Sequence, residues 1–237
     1  MTAIEYSSTK MTCCRNATST FIATLTLLAL ITISNSYALA EITVVDGDTL
    51  NKGNVTYRLE GIDAPEYGQK CNKKNSKNKW QCGKAATKYL SEFILGKNIR
   101  CTELDLDDFG RVIATCYADE IEINRHMVEQ GLAWAFRKFS NTYVEEENKA
   151  SSMGIGVFQA ITQTPWGYRA AKWSFAAQEA PEGCPIKGNI SNNGRIYHAP
   201  WSPWYSRTKV SVDKGERWFC SEGEALDAGW RAPYWGK

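Results

Sequence analysis

Asp46-Gly47-Asp48-Thr49, followed closely by Arg58-Leu59-Glu60-Gly61-Ile62-Asp63-Ala64-Pro65-Glu66, is the stretch on which both fold and chemistry turn. Residues 42–45 and 55–59 are short β-branched and apolar segments separated by Gly- and Asn-containing turns, which predicts two paired strands. Side chains alternate along a strand, so Arg58 and Glu60 fall on one face. Beyond Gly61 the chain is expected to leave the sheet, because Pro65 lacks an N–H for a ladder and disfavours helix at Ala64. Asp63 and Glu66 are therefore placed in a loop whose direction the proline helps to set.

Further along, Ala85, Ala86, Tyr89, Leu90, Phe93 and Ile94 recur at the three-to-four spacing of an amphipathic helix over 83–94. Residues 99–104 and 111–117 are strand-like, joined by the acidic turn Asp105-Leu106-Asp107-Asp108-Phe109-Gly110. A second helix is predicted over 123–130, stopped by Gly131, and a third over 143–152. Strands, a helix, two more strands and two helices predict a mainly β, α+β unit: a small barrel buttressed by helices.

Three carboxylates, Asp48, Asp63 and Glu66, gather near strand ends with no His or Cys between them, which favours a hard cation held by oxygen, such as Ca²⁺. A neighbouring Arg58, and Arg111 after the Phe109-Gly110 turn, fit an anionic ligand, since a guanidinium fork matches phosphate. Cation, two arginines and a spare carboxylate are the parts needed to attack a phosphodiester. Each residue also has a plainer role. Asp46 and Asp48 are common turn formers, and Arg58 on a strand surface is able to pair with Glu60.

The blocks Asp46-Gly47-Asp48-Thr49, Arg58 through Glu66, Asp108-Phe109-Gly110-Arg111 and Met127-Val128-Glu129-Gln130-Gly131-Leu132-Ala133 are similar in order and spacing to the staphylococcal nuclease (thermonuclease-like) family. The resemblance covers residues 41 to 160 or so. It implies a five-stranded OB-fold barrel with three helices and a Ca²⁺-dependent endonuclease acting on DNA and RNA to leave 3′-phosphates. It further implies Asp48, Asp63 and the main-chain carbonyl of Ala64 as metal ligands, Glu66 as general base, and Arg58 and Arg111 as the grip on the scissile phosphate. Ala64 stands where the family usually has Thr, and Asp108 and Phe109 replace a usual lysine and tyrosine. Phe136 and Phe139 fall where tyrosines commonly line the nucleotide pocket, so stacking on a base survives while a hydroxyl contact is lost. Arg137 and Lys138 between them offer compensating charge, and all four are expected to bind substrate. The rival reading is a catalytically inactive OB-fold module that binds nucleic acid or an envelope partner.

The remaining sequence sets the context. Lys10 and Arg15 precede an apolar run over 21–33, and Ala38-Leu39-Ala40 has the A-x-A pattern of a cleavage site. Residues 1–40 are expected to be an export signal, leaving a monomer in the periplasm or outside the cell with no stable membrane span. Cys13 and Cys14 leave with the signal, so Cys71, Cys82, Cys101, Cys116, Cys184 and Cys220 remain for disulfides. Locality favours pairing them in that order. No C-x-x-C spacing supports zinc.

A hydrophobic content of 43% excludes a disordered chain, and a net charge of +2 excludes nucleic-acid affinity from bulk charge alone. Six lysines, Lys70, Lys73, Lys74, Lys77, Lys79 and Lys84, cluster around the segment between Cys71 and Cys82, either as a solvated face or as a contact for the nucleic-acid backbone. The nuclease-like unit is assigned to 41–177. Residues 178–237 form a linker and a small tryptophan-rich module stapled by Cys184 and Cys220. In that module Ser221-Glu222-Gly223-Glu224 has capping-box spacing ahead of a short helix ended by Gly229.

Overall fold

The computed structural model describes residues 42–233, all within one compact unit. The expected signal over 1–40 and Trp235 lie outside the described residues. The elements in order are β1 (Ile42–Asp46), β2 (Thr49–Lys52), β3 (Val55–Leu59), β4 (Ile62–Asp63), β5 (Cys71–Lys73), β6 (Ser76–Trp80) and α1 (Cys82–Ile94). There follow β7 (Ile99–Leu106), β8 (Val112–Ala118), β9 (Ile121–Glu122), α2 (Ile123–Glu129), β10 (Trp134–Ala135), α3 (Val144–Met153) and α4 (Pro165–Glu179). The chain then forms β11 (Ile186–Ser191), β12 (Gly194–His198), β13 (Arg217–Phe219) and α5 (Glu222–Asp227).

The architecture is α+β, as the sequence predicts. Strands β1, β2 and β3 form an antiparallel meander, β3 runs parallel to β8, and β7 and β9 pair with β8. The five-strand path β1-β2-β3-β8-β7 matches the expected strand number, and no ladder joins its two ends among the described residues. Thr49-Leu50-Asn51-Lys52 is short and mostly polar, and its composition predicts turn rather than strand β2. Tertiary pairing on both sides makes it a strand, with Leu50 opposite Val44 and Tyr57. Strand β7 likewise runs on to Leu106, past the expected end, by pairing Asp105 and Leu106 with Ile113 and Val112 across a bulge.

Helix α1 lays Ala86, Leu90 and Ile94 onto the sheet, where they meet Leu50, Leu59, Ile62 and Ala114 in one core. Burial of each large aliphatic side chain there contributes about 1.5–3 kcal/mol. Gly47 is required in the β1–β2 turn by this packing: a Cβ there would lie 2.7 Å from that of Ala64 and 2.8 Å from that of Ala86.

The three cysteine pairs are joined in the order locality favours, Cys71 to Cys82, Cys101 to Cys116 and Cys184 to Cys220. The second bridges residues that lie directly opposite on β7 and β8. The first ties the β5–β6 hairpin to the start of α1.

Residues beyond 160 hold more structure than the sequence reading gave them. Helix α4 starts at Thr164-Pro165, where the Thr164 Oγ1 caps the Gly167 N–H and Pro165 sits in the first turn. It ends at Glu179, inside the stretch from 178 that the composition predicts as linker. After it, β12-β11-β13 form a three-stranded sheet over a core of Ile186, Tyr197, Phe219, Ala225 and Trp230. The Ser221 hydroxyl accepts the Glu224 N–H at the head of α5, as the capping spacing predicts.

Candidate active site

The β1–β2 turn builds the first half of the site. Asp48 is 5% exposed and its oxygens are both engaged. Oδ1 accepts the Thr49 hydroxyl at 3.1 Å, and Oδ2 accepts the Ala64 N–H at 2.6 Å. Arg58 lies across the ladder from Thr49, and its fork spans two carboxylates: Nη1 is 3.2 Å from Asp48 Oδ1 and Nη2 is 3.1 Å from Asp63 Oδ1. Its partners are thus these two aspartates rather than Glu60. Asp63 was expected in a loop. It instead closes β4, pinned opposite Trp134 of β10, because the chain leaves the main sheet at Gly61 and finds a second partner strand. The side chain of Asp63 is 1% exposed.

Glu66 follows on the Pro65 turn. Its N–H donates to the side-chain oxygen of buried Gln69, and its carbonyl accepts the Gln69 N–H at 2.7 Å. Gly83 at the start of α1 packs so tightly beneath it that a Cβ there would overlap the Glu66 carbonyl. A residue missed in the sequence completes the constellation. Arg169 on α4 donates from Nη1 to Glu66 Oε1 at 2.7 Å and grips Asp63 with both Nη atoms, at 3.1 and 2.8 Å. It lies 103 residues beyond Glu66, in no recognisable motif, and nothing in the linear sequence marks it.

Arg111, expected to face phosphate beside Arg58, lines the same cleft. Asp107 holds it: Nε donates to Oδ2 at 2.7 Å, and the Arg111 N–H donates to Oδ1 at 2.9 Å.

Four carboxylates in one low-dielectric region titrate abnormally. Burial pushes Asp46 well above its ordinary value, and repulsion from Asp48 and Glu66 adds to the rise. Burial also acts on Asp48, but Arg58 and the Ala64 N–H more than offset it and hold that carboxyl low. Asp63 is raised because burial outweighs its two guanidinium partners. Burial pushes Glu66 up to about 7 against the downward pull of Arg169.

The cleft over these residues encloses about 890 Å³. One wall is formed by Asp48, Arg58 and Arg111. The other comes from the C-terminal segment, where Tyr197 donates its phenol to Glu222 at 2.7 Å beside Trp201. Phe136 stacks on Trp166 with centroids 5.5 Å apart, and Phe139 meets Phe136 edge-on at 5.0 Å while remaining exposed. Arg137 is paired with Glu147 at 2.9 Å, and Lys138 lies over the Phe139 ring. Phe136 and Phe139 line the cleft over the carboxylates, while Phe136, Arg137 and Lys138 line a second cavity that also reaches Arg169. The six lysines around the β5–β6 hairpin are all exposed.

The donor set suits a hard cation. Asp48, Asp63 and Glu66 are three carboxylates against the two guanidinium groups, Arg58 and Arg169, that touch them, and all the donors are oxygen. Among the described residues no group of three or more His, Cys, Asp or Glu side chains encloses a metal position. A cation here would hence take main-chain and water oxygens beside the aspartates.

The fold is α+β, with a five-strand OB-like path carrying helices on it and a cleft lined by buried acids and by Arg58, Arg111 and Arg169. The profile of the family described as "Staphylococcal nuclease homologue" matches residues 56–160, and the chain belongs to this family. A second profile, described as ArfC, matches residues 163–232. The chain is 34% identical over 122 residues to an "Uncharacterized endonuclease" of Haemophilus influenzae, covering 48% of this chain and 62% of that one. It is 29% identical over 146 residues to a "Micrococcal nuclease" of Shigella flexneri, covering 54% and 78%. An "Uncharacterized endonuclease" of Escherichia coli is 30% identical over 137 residues, covering 54% and 82%. The chain thus spans less than two thirds of the length of its Haemophilus influenzae relative.

Proposed function

We propose that this protein is an exported Ca²⁺-dependent endonuclease that hydrolyses phosphodiester bonds of DNA and RNA and leaves 3′-phosphate ends. The observation that supports this best is the sharing of one guanidinium by Asp48 and Asp63, from separate elements, with Glu66 beside them. Asp48, Asp63 and the Ala64 carbonyl would hold the cation, which supplies Lewis-acid stabilisation of charge on the phosphoryl oxygens when bound. Glu66 takes a proton from the attacking water, whose oxygen forms the new bond to phosphorus. The bond from phosphorus to the 5′ oxygen breaks, and that oxygen gains a proton to leave as a hydroxyl. Arg58 and Arg111 donate to the phosphoryl oxygens, Arg111 on the leaving side, where negative charge grows. A carboxyl poised near 7 suits Glu66 to exchange a proton at neutral pH.

Phe136, Phe139, Arg137 and Lys138 would supply a surface for bases and backbone. Three disulfides support export to the periplasm or beyond. No helix among the described residues is long and apolar enough to cross a membrane. The processed molecule is proposed to act as a monomer, with 41–177 as its nuclease unit and 178–237 as the appended module. The test is plasmid and RNA degradation with Ca²⁺, with EGTA, and with Glu66→Ala. Cleavage that needs Ca²⁺ and Glu66 and yields 3′-phosphate ends supports the proposal. Nucleic-acid binding without cleavage would instead support a silent OB-fold module.

A further inference from the structure

Resting on that reading, we infer that Arg169 is a positioning residue of the site, supplied from outside the matched nuclease segment, which weakens cation binding while aligning Glu66.

The placement of Arg169 is built into the fold. The segment leading into α4 is fastened to Gln69 and Asn72, a few residues after Glu66, by three hydrogen bonds that these two residues donate. Buried Gln69 donates to the Gln163 carbonyl at 2.7 Å, Asn72 donates its amide to the Ile161 carbonyl at 2.5 Å, and the Asn72 N–H donates to Thr162 Oγ1 at 2.8 Å. The Thr164 cap then fixes where the helix begins, and Arg169 follows in its second turn. The same Gln69 side chain accepts the Glu66 N–H. One buried amide therefore registers Glu66 and the arginine's helix against each other.

The contacts define what the guanidinium does. It is bidentate to Asp63 and monodentate to Glu66, and at 25% exposure its side chain is largely removed from water. A planar fork held at two points fixes the direction of the third donor, so Glu66 Oε1 is held at a set angle to Asp63. The charge has the opposite consequence for a cation. A fixed positive group at hydrogen-bond distance from Asp63 opposes a divalent ion sharing that carboxylate, and screening is weak where the acid is 1% exposed. Loss of the charge should hence tighten cation binding while loss of the fork slows turnover. General destabilisation would weaken both.

The experiment uses the full processed chain with its disulfides intact and compares wild type, Arg169→Gln and Arg169→Lys. Ca²⁺ affinity is measured by calorimetry without nucleic acid, and single-turnover cleavage of a single-stranded oligonucleotide is measured at saturating Ca²⁺. Arg169→Gln should bind Ca²⁺ roughly ten-fold tighter and cleave at least about ten-fold more slowly. Arg169→Lys, which keeps the charge without the fork, should bind Ca²⁺ within about three-fold of wild type and still cleave slowly. An unchanged or weaker Ca²⁺ affinity in Arg169→Gln, or wild-type turnover in either variant, overturns the inference. Should Arg169→Gln fail to fold, the lysine variant decides it by whether turnover falls at constant affinity. A wild-type chain that neither binds Ca²⁺ nor cleaves overturns the nuclease reading and this inference together, whereas an active wild type with indifferent variants overturns the inference alone.

Discussion

The Asp48 carboxylate accepts a 2.6 Å hydrogen bond from the main-chain N–H of Ala64, sixteen residues further on. This bond closes the first strand turn against the loop that carries Glu66. It also orients the one acid in the cluster whose ionised form the surroundings favour. Asp48→Ala removes the acceptor and leaves both the Ala64 N–H and Arg58 short of a partner, so stability should fall by about 2–4 kcal/mol. Asp48→Asn keeps an oxygen for the N–H and should cost less than half as much. Urea unfolding of the two variants checks the order, and equal losses would contradict it.

Glu66 is fixed from three sides, through Gln69, Gly83 and Arg169. Glu66→Gln preserves size and hydrogen bonding but removes the base. Cleavage at saturating Ca²⁺ should drop by about 10²–10⁴, with an unchanged far-ultraviolet spectrum. A residual rate within a few-fold of wild type would assign the base elsewhere.

The raised Glu66 carboxyl also makes a stability prediction. Its folded-state value of about 7 lies above the ordinary 4.5, so the folded chain retains a proton that the unfolded chain releases. The resulting stabilisation is full below about pH 4.5 and is lost as pH rises to about 7, at up to roughly 1.4 kcal/mol per unit. In EDTA, wild type should therefore lose stability relative to Glu66→Gln between pH 5 and 7.5. Denaturant titrations at the two pH values measure the difference, and a gain over that interval would have the wrong sign.

Arg111 depends on Asp107 for its direction, because that carboxylate accepts both its side-chain Nε–H and its main-chain N–H. Asp107→Ala should lower cleavage about ten-fold by releasing the guanidinium, while Ca²⁺ affinity stays within a few-fold of wild type. Equal cleavage by variant and wild type would show that the turn aligns Arg111 without Asp107.

Cys184 and Cys220 are 36 residues apart and bracket the small C-terminal core. Replacing both by Ser should cost about 3–4 kcal/mol on the chain-entropy scale and expose Trp230. Tryptophan fluorescence during denaturation reports it. A transition that matches the oxidised wild type would show that the α4 contacts alone hold the module.

Most of the nuclease-like unit is legible in the linear chain because its signals are local. Helix α1 shows its 3.6-residue period, and strand β3 lies at the residues its composition indicates. Cys101 and Cys116 are short-range partners, joined by a hairpin that sets them opposite. Strand β2 is not legible, since four mostly polar residues become a strand only between two neighbours. Strand β4 is hidden for the same reason: a two-residue ladder to Trp134 has no period to detect.

The amino-acid order by itself determined which acids and arginines this protein has to work with, Asp48, Asp63, Glu66, Arg58 and Arg111, because each sits at a strand end or a tight turn that short-range chemistry makes recognisable. Only the tertiary structure decided which of them meet. It set Arg58 across two aspartates, gave Arg111 to Asp107, and brought Arg169 from a distant helix onto Asp63 and Glu66. The physical reason is that an ion pair in a buried cleft depends on separation in space, and the separation of 106 positions between Asp63 and Arg169 carries no imprint of the packing that closes it.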